Sequence, residues 1–243
     1  GEVRLTSAIT HGADSDIEIV SAFDRIQLQD FVKTKGADSR ITLNASGDVN
    51  GNESGTVIDS DFADVSVYSA TGSISNGLRF YAGGDVYLQA QSFVGTAYAY
   101  SEMGDITITS LSDTVSANST SAENGLVSLT GGNVFFTDVD AYSFSVRVTN
   151  AGQGITIGGA SFVFDGDVTF QADYGAIFLH SGFTLAADEI TLTAGYGGTS
   201  DVAVIDPDAG ASSRRSPSGS GHGGWRSFRE RVIVIGPVVR LPA

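Results

Sequence analysis

A chain of 243 residues with 31 glycines, 4 prolines and 41% hydrophobic residues suits many short strands joined by tight turns, and nothing in it suggests a long helix. The absence of cysteine excludes disulfides, thiolate metal sites and thiol nucleophiles. A formal charge of −15 repels phosphate backbones and argues against a nucleic-acid partner, and no apolar run reaches the roughly 18 residues of a transmembrane helix.

The alternation Val3-x-Leu5-x-Ser7 opens the chain 14 residues before Ile17 and reads as the last side of a preceding coil, as if cut from a longer solenoid. Apolar-x-apolar-x-small segments then recur at Ile17/Ile19/Ser21, Ile41/Leu43/Ala45, Val65/Val67/Ser69, Val86/Leu88/Ala90 and Ile106/Ile108/Ser110. They continue at Val127/Leu129/Gly131, Val146/Val148/Asn150, Val168/Phe170/Ala172 and Ile190/Leu192/Ala194. Such alternation buries one face of a strand. The starts are 24, 24, 21, 20, 21, 19, 22 and 22 residues apart, a near-constant period that marks an internal repeat. Residues 22–40, with Arg25, Lys33, Lys35 and Arg40, form the longest interval without a clean turn and read as an insertion loop.

Within each coil a second apolar position follows at Val49, Ile74, Val94, Val115, Val134, Ile155 and Ile177. A third follows at Val57, Phe80, Tyr100, Tyr142, Phe162 and Phe183. Three short strands per repeat give an all-β, parallel β-helix of about nine coils, each of about 20–22 residues, spanning residues 1–210. Gly47, Gly84, Gly104 and Gly166, each followed by Asp, mark the turn that enters the first strand.

After Ile190 the pattern stops. Residues 1–210 carry 27 acidic and 7 basic residues, a net −20, whereas 211–243 carry 1 and 6, a net +5. The Gly-, Ser- and Arg-rich stretch through Trp225 reads as a flexible tail. Only Arg231-Val-Ile-Val-Ile-Gly236 has strand character there, and it is placed to act as a weak cap on the last coil.

The segments Gly104-Asp-Ile-Thr-Ile-Thr109, Gly166-Asp-Val-Thr-Phe-Gln-Ala172 and Asp188-Glu-Ile-Thr-Leu-Thr-Ala-Gly195 resemble repeats of large bacterial exoproteins related to filamentous haemagglutinin and autotransporter passengers. The resemblance covers roughly residues 16–205. It implies a right-handed helix, export to the cell surface, and adhesion to a polymer, such as a glycan, on host or neighbouring cells.

Enzymes on this scaffold set carboxylates on outward positions of neighbouring coils. Here the outward first-strand positions are Thr42, Ser66, Tyr87, Thr107, Ser128, Arg147, Thr169 and Thr191, then Asn44, Tyr68, Gln89, Thr109, Thr130, Thr149, Gln171 and Thr193. None is acidic, which points to a non-catalytic protein. The rival reading, a polysaccharide lyase or hydrolase, needs Asp138, Asp140 and Arg147 on another side. A flat ice- or carbohydrate-binding Thr-x-Thr array matches Thr107/Thr109 and Thr191/Thr193, but Tyr87 and Arg147 interrupt it. His11, His180 and His222 lack companions at metal-ligand spacing. Asp64, Asp85 and Asp105 precede three consecutive first strands and should stack. Such carboxylates either accept turn N–H groups or share a calcium ion, the one cofactor the sequence suggests. The pairs Asp59/Asp61, Asp138/Asp140 and Asp165/Asp167 add to the calcium reading.

Overall fold

The computed structural model describes residues 1–194, except 13, 37, 53–54, 76, 151–152, 159–160 and 179–183, together with the strand Val232–Ile235. Among the described residues there is no helix, and every ladder is parallel. The first side stacks strands that begin their buried alternation at Ile17, Ile41, Val65, Val86, Ile106, Val127, Phe144, Val168 and Ile190. These nine positions bound the eight or so turns of a β-solenoid.

The second side aligns Val3, Ile26, Val49, Ile74, Val94, Val115, Val134, Ile155 and Ile177, every position that the sequence assigns to it. The third side differs from expectation. Its inward row runs Ile9, Val32, Ile58, Phe80, Ala99, Thr120 and Val139, so Val57 and Tyr100 point outward and Tyr142 lies at an exposed corner. Phe162 is inward as expected, paired with Leu185, while Phe183 lies outside the described residues.

Three further expectations change. Residues 22–40 are not an insertion: Ile26–Leu28 and Val32–Thr34 are ordinary second- and third-side strands with both ends buried. Val3–Leu5 pairs with Ile26–Leu28 and so belongs to a second side, the last side of that coil being Ile9–His11. The seventh repeat begins at Phe144 rather than Val146. Asn133–Val148 is one strand of 16 residues that supplies all three sides, and its corners are too short to show as turns.

A single apolar core runs from Ile17 to Leu192. Val65, Val86, Ile106 and Val127 stack directly and are essentially fully buried. Burying each such side chain contributes roughly 1.5–3 kcal/mol. Toward the later coils the core becomes aromatic: Phe136 meets Phe144 edge-on at 4.9 Å between ring centres, and Phe144 meets Phe170 at 5.5 Å.

Inward serines close the corners. The Ser69 hydroxyl donates to the Gly47 carbonyl at 2.8 Å and accepts from the Gly72 N–H at 3.2 Å. Ser101 does the same with Gly84 at 2.8 Å and Gly104 at 2.9 Å. Each such serine satisfies main-chain groups that a chain turning around a dry core would otherwise strand.

The strand Val232–Ile235 pairs in parallel with Ile190–Thr193 and extends the first side by one rung. Residues 195–231 and 236–243 lie outside the described residues.

Candidate functional site

The outward faces are ladders of side chains set one strand spacing apart, about 4.8 Å. On the first side one row reads Thr42, Ser66, Tyr87, Thr107, Ser128, Ser145, Thr169 and Thr191. The next reads Asn44, Tyr68, Gln89, Thr109, Thr130, Arg147, Gln171 and Thr193. Arg147 thus stands in the second row, where the sequence put Thr149, because the seventh repeat starts two residues earlier than expected.

Tyr68 and Tyr87 meet with ring centres 5.3 Å apart. The Tyr87 hydroxyl donates to Gln89 Oε1 at 2.6 Å. Burial first, and the neighbouring Tyr68 second, hold the Tyr87 phenol above its ordinary range, so it stays a donor. Beside these rings lies a shallow cavity of about 300 Å³, lined by Asn44, Tyr68, Ser69, Ala70 and Gln89.

On the third side Tyr81, Tyr98 and Tyr100 form an aromatic cluster, with ring centres 5.2 Å apart for Tyr81–Tyr98 and 6.4 Å for Tyr98–Tyr100. The row through Tyr81 and Tyr100 continues to Ser121 and Asp140. At its other end Lys33 Nζ is held by Asp59 at 2.5 Å and Asp61 at 2.7 Å. Those two hydrogen bonds raise the Lys33 ammonium above its ordinary range. Tyr98 is raised as well, first by burial and then by Tyr81, Tyr100, Asp138 and Asp140.

The residues of the enzymatic reading do not converge. Asp138 and Asp140 are exposed on the third side, whereas Arg147 lies on the first and its guanidinium donates to Asp173 Oδ2 at 2.9 and 3.1 Å. Gln171 Nε2 donates to the other oxygen of Asp173 at 2.5 Å. His11 is exposed at the end of its strand, and His180 and His222 lie outside the described residues.

Asp64, Asp85 and Asp105 do stack along one corner. Asp64 Oδ1 accepts the Asp85 N–H at 2.9 Å, Asp85 Oδ1 the Asp105 N–H at 2.8 Å, and Asp105 Oδ1 the Leu126 N–H at 2.8 Å. One oxygen of each carboxylate is thereby committed to the next coil. Among the described residues no three acidic, His or Cys side chains gather as a metal cluster. Asp59 and Asp61 of the Asp-x-Asp pairs are occupied by Lys33.

Two features escaped sequence reasoning. In the sequence Ser69 and Ser110 count only as small residues and Ser101 carries no signal, yet all three accept main-chain N–H groups at corners. On the third side Tyr100 falls at the repeat spacing of an apolar position, and its outward orientation beside Tyr81 and Tyr98 shows only in the pairing. By contrast, Asn44, Tyr68 and Gln89 are consecutive members of one outward row already in the sequence.

No protein-family model matches the chain, and no curated protein or solved structure matches it. What the geometry defines is a class: an all-β protein built as a parallel β-solenoid, with ordered hydroxyl, amide and tyrosine ladders on its outer faces. No helix among the described residues is long and apolar enough to cross a membrane.

Proposed function

We propose that the chain is a non-catalytic structural or adhesive segment of an exported bacterial surface protein, and that it holds a polymeric partner against its flat sides. The observation that carries this is the clustering of tyrosines from neighbouring coils on two of the three sides, Tyr68 with Tyr87 and Tyr81 with Tyr98 and Tyr100. Rings locked by their neighbours lose little freedom on binding, so contact with an extended partner costs little ordering entropy. Eight turns at about 4.8 Å per turn make a rod of roughly 38 Å, long enough to engage several units of a polymer at once.

The resemblance of Gly104–Thr109 and Gly166–Ala172 to bacterial exoprotein repeats agrees with this role and with a place outside the cell. So does a net −20 over residues 1–210, which suits a surface that must not bind polyanions indiscriminately. The test is a glycan and extracellular-matrix array run beside anionic polysaccharide substrates. Saturable retention without product is expected. Release of unsaturated or reducing ends would instead establish a polysaccharide-processing enzyme.

A further inference from the structure

We propose that Asn44, Tyr68 and Gln89 form a subsite for one residue of a neutral glycan laid along the first side, an inference that rests on the polymer-binding role above. The three side chains are register partners on successive coils and line the 300 Å³ cavity together with Ser69 and Ala70. The arrangement is an aromatic wall with an amide on either side of it. Tyr68, a residue 36% exposed, offers the negative quadrupole density of its ring to the C–H face of a pyranose.

The amides supply the polar half of recognition. Each carries both donor and acceptor groups, which suits vicinal hydroxyls that donate and accept in turn. Gln89 is oriented, because its Oε1 accepts the Tyr87 hydroxyl and its Nε2 is left as a donor. The Ser69 hydroxyl is already committed to Gly47 and Gly72, so it belongs to the wall rather than to recognition.

Charge selects the class of sugar. No lining residue is charged, and the surrounding body at net −20 repels uronate- or sulfate-bearing chains. Beyond Gln89 the same row continues with Thr109 and Thr130, hydroxyls at each strand spacing. A pyranose residue is about as long as that spacing. A glycan seated at Tyr68 and running along the rod would therefore meet one polar side chain per sugar.

The experiment titrates the full chain by saturation-transfer NMR and calorimetry with cellohexaose, xylohexaose, mannohexaose and chitohexaose, and with polygalacturonate as the anionic comparator. Tyr68→Ala, Gln89→Ala and, as a control away from both tyrosine clusters, Phe23→Ala at a residue 86% exposed are measured alongside, with melting temperature as the folding check. Binding of at least one neutral hexasaccharide is expected, weakened at least about tenfold by Tyr68→Ala, as for an anchor residue, and unchanged by Phe23→Ala. Should Tyr68→Ala fail to fold, Gln89→Ala is expected to weaken binding on its own. Binding of none of the four, equal binding of polygalacturonate, or binding that Tyr68→Ala weakens no more than Phe23→Ala does would overturn the subsite. If the array still retains the protein in any of those cases, the adhesive role stands without this subsite. If nothing is retained, both fall.

Discussion

The main-chain N–H of Asp85 donates to the carboxylate of Asp64 at 2.9 Å, so a side chain of one coil fastens the corner of the next. The same bond repeats from Asp105 to Asp85 at 2.8 Å. It also accounts for the glycines of this corner. A Cβ on Gly104 would lie 2.8 Å from the Asp85 nitrogen and 2.8 Å from the Gly84 carbonyl carbon, and one on Gly84 would strike Asp64 Oδ1. Close approach keeps these glycines. Left-handed backbone does not, since among the described glycines only Gly55 has positive φ.

The first prediction follows from that corner. Asp85→Ala removes a charge-assisted acceptor and should cost about 1.5–3 kcal/mol, while Asp85→Asn, which keeps an acceptor oxygen, should cost less. Gly104→Ala meets main chain rather than a mobile side chain and should cost about 1–3 kcal/mol. Denaturant melts of the three variants rank them. The same proteins decide the calcium expectation for Asp64, Asp85 and Asp105. A calcium-dependent rise in melting temperature that vanishes in Asp85→Asn would establish the ion there, and equal melting temperatures would rule it out.

The second concerns the aromatic part of the core. Phe170 is 1% exposed and touches both Phe136 and Phe144. Phe170→Ala should cost about 3–5 kcal/mol, whereas Phe23→Ala, at a residue 86% exposed, should stay within about 0.5 kcal/mol of the parent. Because each coil contacts only its neighbours, hydrogen exchange should show the loss of protection centred on the coils around Val146 and Val168. A uniform loss along the whole rod would contradict that local coupling.

How far these features could be read from sequence depends on the side of the coil. On the first and second sides β-branched and Leu residues point in while Thr, Ser and Gln point out, so period-two alternation located nearly every buried position. The third side inverts that signal. Around residue 99 its inward positions are Ala99 and Thr120 while Tyr98 and Tyr100 point out, and a large aromatic outside a small inward residue reads as core. Residues 22–40 failed for a related reason. Lys33 is an outward strand residue neutralised by Asp59 and Asp61 from the next coil, and that partnership is invisible along the chain.

A third prediction uses the raised groups of the third and first sides. Lys33, Tyr87 and Tyr98 all titrate higher in the folded chain than their ordinary values of 10.5, 10.0 and 10.0. A folded pKa above the unfolded one means that the contribution is whole below the unfolded value and is lost as pH rises through the folded one. Stability should therefore be insensitive to these groups below about pH 10 and fall above it. Tyr98→Phe, which removes one titrating phenol, should flatten part of that fall. Melting temperatures measured from neutral pH to about pH 11 check both statements, and an identical alkaline slope in the variant would reject the role of Tyr98.

The last prediction concerns the end of the ladder. Ile190–Ala194 pairs with Val168–Ala172 on one edge, and its other edge is covered by Val232–Ile235. Reversed charge and a missing repeat read as a flexible tail over residues 211–243, with at most a weak cap in residues 231–236. The pairing gives the strand within them a definite task. A bare parallel edge carrying Ile190 and Leu192 presents unpaired N–H and C=O groups to any other chain. Truncation after Gly210 should therefore lower the melting temperature and shift the protein toward oligomers on size exclusion. Proteolytic nicking between 211 and 231 that leaves Val232–Ile235 bound should do neither. If the truncated chain melts like the parent and stays monomeric, the strand contributes nothing to the solenoid and the tail is dispensable as its composition suggested.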